Sequence, residues 1–394
     1  MYDFNFSVKT EILFGKDQLK YLPEKILENG SRVLICYGGG SIKKIGLYDK
    51  VISLLDENNI FYKELSAIKP NPRIDKVREG LEIIRENKLD FILAIGGGSV
   101  IDTAKLLACA VFTDKDPWKI IKKEVKIEKA LKIGVILTIA ATGSEMDSIG
   151  VVSNPQTKEK LSFSSPLLVP CFAIENPEFT YSVSPYQTAS GVADIMSHTM
   201  ENYFSLDDGC YLQNKIAEGI LKTCIKFGPI AVKEPTNYNA RANILWASAW
   251  AINGLLNKGK NTSWTVHSME HELSAYYDIT HGVGLAILTP RFLNYILNEK
   301  TEKMLSDFAI NVFDVEDTNN YRENAKKGIE ALYKFFKDDL NLPMSLEELN
   351  ITDEYFEEMA EKQAKRSNGY VGGVVPLEAK DVVQIYKASM KDEY

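Results

Sequence analysis

Through about residue 180 the chain alternates short apolar runs with amphipathic stretches. The run RVLICY at Arg32–Tyr37 ends in Gly38-Gly39-Gly40-Ser41, and a helical pattern covers 42–58. A second strand is expected at 61–65, followed by Lys69-Pro70-Asn71-Pro72 and a helical pattern over 74–87. DFILAI at 90–95 runs into Gly96-Gly97-Gly98-Ser99 and a helix through Val111, and IGVILTI at 133–139 is a further buried strand. Apolar strands alternating with helices predict a parallel sheet covered on both faces.

After Pro185 the texture changes. Segments with helical periodicity follow one another at 189–204, 211–230, 238–257, 264–276, 321–337 and 352–366, with no convincing strand among them. The expected plan is an α/β N-terminal domain with a Rossmann-like parallel sheet, residues 1–182, and an all-α domain, residues 183–394. A length of 394 residues suits two to three domains at about 150 residues each. No long Gly/Pro/Ser linker separates the halves, so they are expected to pack into a cleft, where small-molecule sites tend to lie. The alternating segment 3–14 is expected to add an edge strand in cis or to pair across a dimer.

Charge narrows the partners. Lys plus Arg is 46 against 54 Asp plus Glu, a net charge of −8 with no block of like charge. That excludes nucleic acid and an anionic membrane as expected partners. The longest uncharged run, 242–257, is shorter than the roughly 20 residues that span a bilayer. No basic apolar leader opens the chain, so no signal peptide is expected. The five cysteines are scattered, odd in number and form no CxxC, which fits a reducing, cytoplasmic setting and gives no cysteine zinc site.

The chain has only four histidines, and all lie in the α half: His198, His267, His271 and His281. Asp194 precedes His198 by four residues, so carboxylate and imidazole share one helix face. His267 and His271 repeat that spacing, and His281 follows a turn in Thr280-His281-Gly282. A lone histidine is more often a satisfied core or surface residue. Four gathered in one half, with a helical Asp partner, favour a divalent metal site such as Fe²⁺ or Zn²⁺ held by one carboxylate and three imidazoles. His267-Ser-Met-Glu270-His271 is not HExxH, which weakens a zinc-protease reading.

Two glycine turns, 38–41 and 96–99, each close a strand and open a helix. Such turns let backbone approach a phosphate at a helix N-terminus, although they also occur as plain strand–helix joints. Neither is GxGxxG, since Lys43 stands where the first would need its third glycine, and neither contains GK[ST]. With Ala141-Thr142-Gly143-Ser144-Glu145 after a third strand, they predict a cradle for a pyrophosphate-bearing cofactor. Asp102 either favours the positive helix end or holds ribose or nicotinamide amide. Ser41 is small and neutral, with Lys43 and Lys44 just beyond, which suits the 2′-phosphate of NADP; NAD stays possible.

These motifs, in order over nearly the whole chain, resemble the iron-containing (group III) alcohol dehydrogenases, in particular the butanol and aldehyde-reducing branch. Besides the stretches above, Lys160-Leu-Ser-Phe-Ser-Ser-Pro166 and His281-Gly-Val-Gly-Leu-Ala carry the likeness. The resemblance implies that family's dehydroquinate-synthase-like architecture and a homodimer. It assigns Asp194, His198, His267 and His281 to the metal, with His271 near the nicotinamide, not a ligand but either a group behind the ligands or a proton relay. It assigns Ser41, Asn71, Gly97, Gly98, Ser99, Asp102, Thr138, Thr142 and Lys160 to the dinucleotide, beside Gly38, Gly39 and Gly40 of the first glycine turn. Two departures stand out: Ile139-Ala140-Ala141 replaces a Thr-Ala-Gly-type run, and Asp147 stands where the branch often has Asn. An Asp there either alters substrate preference or caps a turn.

The implied activity is NAD(P)-linked interconversion of primary alcohols such as butanol with their aldehydes, with the alcohol or aldehyde as the small-molecule partner. A glycerol-dehydrogenase-like polyol enzyme is the related alternative. A metal-dependent hydrolase would use the histidines and leave both glycine turns idle.

Overall fold

The computed structural model describes residues 1–206 and 209–393. Its strands are β1 (Glu11–Phe14), β2 (Arg32–Tyr37), β3 (Phe61–Leu65), β4 (Phe91–Gly96), β5 (Lys132–Leu137), β6 (Ile149–Asn154), β7 (Glu159–Ser164) and β8 (Phe172–Glu175). Six of them form one all-parallel sheet in the order β1-β8-β5-β4-β2-β3, and β6 and β7 form a separate antiparallel hairpin. The strands β2, β4 and β5 are buried along nearly their whole length, as parallel strands covered on both faces must be. Register brings Leu34, Ile92 and Ile133 side by side in one core layer, while Ile35, Leu93, Ile95 and Ile136 pack in the layer on the other face.

From β2 the chain places β3 on one side and β4 on the other. The carboxyl ends of β2 and β4 therefore flank a topological switch point, and both glycine turns sit there. Of segment 3–14, Glu11–Phe14 pairs in cis with β8 as the parallel edge strand. The hairpin β6–β7 was not legible in the pattern, because its turn at 155–158 lacks a glycine; Lys158 takes the left-handed conformation instead, at φ 49°.

After Pro185 the described residues form helices, with no strand beyond the isolated bridge of Val371 with Leu377. Besides the single turn at Ser41–Lys44, four longer helices carry candidate site residues: α1 (Gly98–Ala110), α2 (Pro185–Tyr203), α3 (Thr265–Tyr277) and α4 (His281–Tyr295). The chain divides into two compact units. One comprises Ser7–Val183 with Pro235–Ala249 and contains the sheet; the other comprises Met1–Phe6, Ser184–Glu234 and Trp250–Tyr394.

Candidate metal centre and dinucleotide cradle

Helix α2 starts cleanly because Ser184 Oγ accepts from Gln187 N at 3.3 Å and Pro185 fills the first helical position. Nearly every residue from Thr188 to Tyr203 is buried, so Asp194 and His198 project into protein, 2% and 4% exposed. The other histidines arrive on α3 and at the first residue of α4. Gly282 makes that approach possible: a Cβ there would meet the backbone oxygen of Ser190 at 2.0 Å, one turn before Asp194.

Asp194 Oδ1 is the point of convergence. It lies 3.5 Å from His198 Nε2 and 3.7 Å from Nε2 of both His267 and His281. Donor atoms of Asp194, His267 and His281 all lie within 4.8 Å of one another. Ligands about 2.1 Å from a tetrahedral ion are separated by about 3.4 Å, so these spacings suit shared ligation better than direct hydrogen bonds. Asp194 Oδ1 and His267 Nε2 are buried with no hydrogen-bond partner, orphaned groups that a divalent ion would satisfy. The residues present fit a metal.

The electrostatics agree. Burial pushes the Asp194 carboxyl up, but the His198, His281 and His267 rings outweigh it and hold the group well below the carboxylate range. Burial lowers His198 to about 4, so its ring is neutral and ready to ligate. Burial also pushes His267 down, yet the carboxylates of Glu201 and Asp194 prevail and raise it to about 9.

His271 stands beside this set. Its ring centroid is 5.5 Å from that of His281 and 6.4 Å from that of His267, and it forms a separate cluster with Glu270 and His281. Trp264 meets His198 and His267 edge-on, at 5.7 and 5.1 Å. Two acids unmarked in the sequence reading also join the centre: Glu201 contacts His267 Nδ1, and Glu270 contacts His281 Nδ1. Glu201 carries a sequence signal, since Asp194, His198 and Glu201 fall at i, i+4 and i+7 on one helix stripe.

In the sheet unit, the two glycine turns and Thr138 follow the carboxyl ends of β2, β4 and β5, whereas Asp102 lies on α1 and Lys160 on β7. A Cβ at Gly39 or Gly40 would meet nothing within 4 Å, so the first turn is open on that side, and Gly40 has φ 101°. The second turn differs. A Cβ at Gly97 would meet Ile139 at 2.3 Å, and one at Gly98 would meet Thr142 at 2.5 Å. Those glycines admit a neighbouring segment of the chain. Thr138 N donates to Gly96 O at 3.1 Å, which ties the same two segments together.

Asp102, on α1 shortly after Ser99, accepts from Ser144 Oγ at 2.7 Å and from Val151 N at 3.0 Å. Burial pushes it up to about 6, against the pull of the Lys105 ammonium. Asn71, at φ 50°, precedes Pro72, whose oxygen accepts from Ser153 N; Ser153 in turn pairs with the buried Lys160 across the hairpin. Ser41 opens a short helical turn, Ser41–Lys44. Lys43 is engaged within the protein: its ammonium lies over the rings of Tyr48 and Tyr37, at 4.3 and 5.2 Å. Both tyrosine hydroxyls donate to Glu64. Asp147 is explained as well, because its carboxylate forms a buried ion pair with Lys105.

Comparison with known proteins fits this geometry. The family profile described as iron-containing alcohol dehydrogenase matches residues 9–177, and that of the Fe-containing alcohol dehydrogenase family, C-terminal, matches 188–390. The chain is 49% identical to NADH-dependent butanol dehydrogenase A of Clostridium acetobutylicum, over 99% of this chain and 100% of that one. It is 38% identical to the NADPH-dependent aldehyde reductase YqhD of Escherichia coli, over 89% and 90% of the two chains. Its fold is similar to the crystal structure of NADH-dependent butanol dehydrogenase A from Thermotoga maritima, with a TM-score of 0.94, 36% identity and 99% of each chain covered.

Proposed function

The chain belongs to the iron-containing alcohol dehydrogenase family, and from that premise we propose that it interconverts short primary alcohols such as butanol with their aldehydes. It is a metal-dependent, NAD(P)-linked alcohol dehydrogenase and aldehyde reductase. The observation that carries the reading is the convergence of three imidazole Nε2 atoms on Asp194 Oδ1.

In this reading residues 183–394 carry the metal set, Asp194, His198, His267 and His281, and residues 1–182 carry the dinucleotide. When bound, a divalent ion supplies Lewis acidity at a substrate oxygen and the nicotinamide supplies or accepts the hydride. The protein's part is position and protons. Asp194 contributes the single negative charge among the ligands, which leaves a divalent site able to attract a developing negative oxygen. Burial around Asp194 and His198 excludes water from that charge. His271 moves the substrate hydroxyl proton through its imidazole ring.

The N/O donor set suits Fe²⁺ and Zn²⁺ alike. Ser41 admits a 2′-phosphate where an acid would repel it, which supports NADP. Lys43, held over two tyrosines beside Glu64, offers that phosphate no free ammonium, so NAD competes on equal terms.

The exposed apolar side chains of Tyr2, Phe4, Phe6 and Val8 support a homodimer built partly on that segment, which sedimentation would test. Five cysteines outside any disulfide, and no helix among the described residues long and apolar enough to cross a membrane, support a cytoplasmic enzyme.

Titration of metal-loaded protein with NADH and NADPH, followed by nicotinamide fluorescence, tests the class. A dehydrogenase enhances that fluorescence on binding; a metal hydrolase leaves it unchanged.

A further inference from the structure

We propose that Glu201 and Glu270 are positioning residues for the metal centre, each holding the Nδ1 side of one imidazole so that its Nε2 faces Asp194 Oδ1. The inference rests on the metal reading above and adds the two side chains that set the ligands' tautomer and aim.

Glu201 does two jobs from α2. Its Oε1 accepts from Val266 N at 2.7 Å, and its Oε2 accepts from His267 N at 3.2 Å and meets His267 Nδ1. Val266 and His267 are the second and third residues of α3, whose amides have no partner within the helix. Trp264, before the helix, provides no side-chain cap. One carboxylate therefore caps α3 from the neighbouring helix and fixes the ring that α3 delivers.

Glu270 works from within α3, one turn after His267. It is fully buried; its Oε2 meets His281 Nδ1 and its Oε1 accepts from Ser274 Oγ. A neutral imidazole has one N–H and one lone pair, and a carboxylate at Nδ1 keeps the proton there. The Nε2 lone pair is then free, in a fixed direction, for a metal.

His198 lacks such a partner, because its Nδ1 is buried with none. Its ring instead stacks on that of His267, 4.6 Å between centroids and 13° between planes. Glu201 thus steadies two ligands, one through a hydrogen bond and the other through the stacked ring. The charge count changes too. Asp194, Glu201 and Glu270 place three carboxylates, 0–7% exposed, against the imidazole set, and buried carboxylates without a cation are costly.

The test uses the full-length protein, freed of metal and titrated with Co²⁺ and Zn²⁺ against a chromophoric chelator. Wild type, Glu201→Gln and Glu270→Gln are compared; Gln keeps the shape and removes the charge. Each variant is expected to bind metal about 10–100-fold more weakly. The visible d–d bands of the Co²⁺ protein, which report ligand orientation, should shift in both. The metal-free melting temperature of Glu270→Gln should stay near that of wild type, separating a loosened site from a loosened fold. If Glu201→Gln fails to fold, Glu270→Gln decides. Affinities within twofold of wild type with unchanged Co²⁺ spectra would overturn this proposal alone. Failure of the wild type to take up either ion would overturn the metal reading and this proposal with it.

Discussion

Asp194 Oδ1 and His198 Nε2 stand 3.5 Å apart on one face of α2, both buried. The same oxygen is the nearest shared point for His267 and His281, whereas His271 lies outside that set. Changing His198, His267 or His281 to Ala should weaken metal binding by more than the roughly 100-fold upper range for losing an outer partner. His271→Ala should retain its metal and lose about 100-fold or more in kcat, the usual contribution of a proton-transfer group. Metal content by elemental analysis, beside kcat, separates the two. A His271→Ala variant with wild-type kcat and pH profile would remove it from the proton path.

Lys105 is fully buried and donates to Ser144 Oγ at 2.8 Å, to Ile149 O at 2.7 Å and to the Asp147 carboxylate. Asp147→Ala strands a buried ammonium and should cost about 3–5 kcal/mol. Asp147→Asn keeps an acceptor and should cost about 1–2 kcal/mol. The double change Lys105→Met with Asp147→Leu should recover most of the loss, since apolar replacements of buried ion pairs are often neutral. Urea-unfolding midpoints read all three. Equal midpoints for Asp147→Ala and wild type would mean the pair adds nothing.

Glu145 and Glu175 are buried completely, and none of their four carboxylate oxygens has a hydrogen-bond partner. Burial pushes Glu145 up to about 7, and burial together with the charge of Glu145 pushes Glu175 well above its ordinary value. A pKa raised by folding means stability is fully present below about pH 4.3, where the unfolded chain also holds the proton. It is lost as pH rises through about 7. Changing both to Gln should therefore stabilise the protein at pH 8 by a few kcal/mol and change it little at pH 4.5. Melting temperatures at the two pH values would show this, and an unchanged pH dependence would contradict it.

Lys43 over Tyr37 and Tyr48, with Glu64 bound to both hydroxyls, bears on cofactor choice. The specificity constants for NADH and NADPH should lie within about tenfold of each other. Glu64→Gln removes the charge that competes for Lys43 and should favour NADPH by several-fold, a modest effect because the lysine is solvated. An unchanged NADPH/NADH ratio would show that Lys43 takes no part.

Much of this was legible before the fold. The strands β2, β4 and β5 are continuous apolar runs between glycine and polar stops, and Asp194 with His198 carries its own i,i+4 signature. Glu201 and Glu270 were not legible as partners of His267 and His281, because those contacts exist only once three helices pack. At the glycine turns the sequence shows the strand-to-helix joint but not what lies beside each glycine. Spacing cannot say whether the room beside a glycine is meant for a ligand or for the chain. At Gly97 and Gly98 it is filled by Ile139 and Thr142, and at Gly39 and Gly40 it is open.

Alcohol–aldehyde interconversion by this chain should require a metal held by the Asp194 cluster. The most direct measurement is steady-state butanal reduction with NADH and NADPH by native, chelator-stripped and Fe²⁺- or Zn²⁺-reloaded protein. The expected result is nicotinamide oxidation that disappears on stripping and returns with either ion. Full activity in the stripped protein, or none in the loaded protein with any of several short aldehydes, would contradict it.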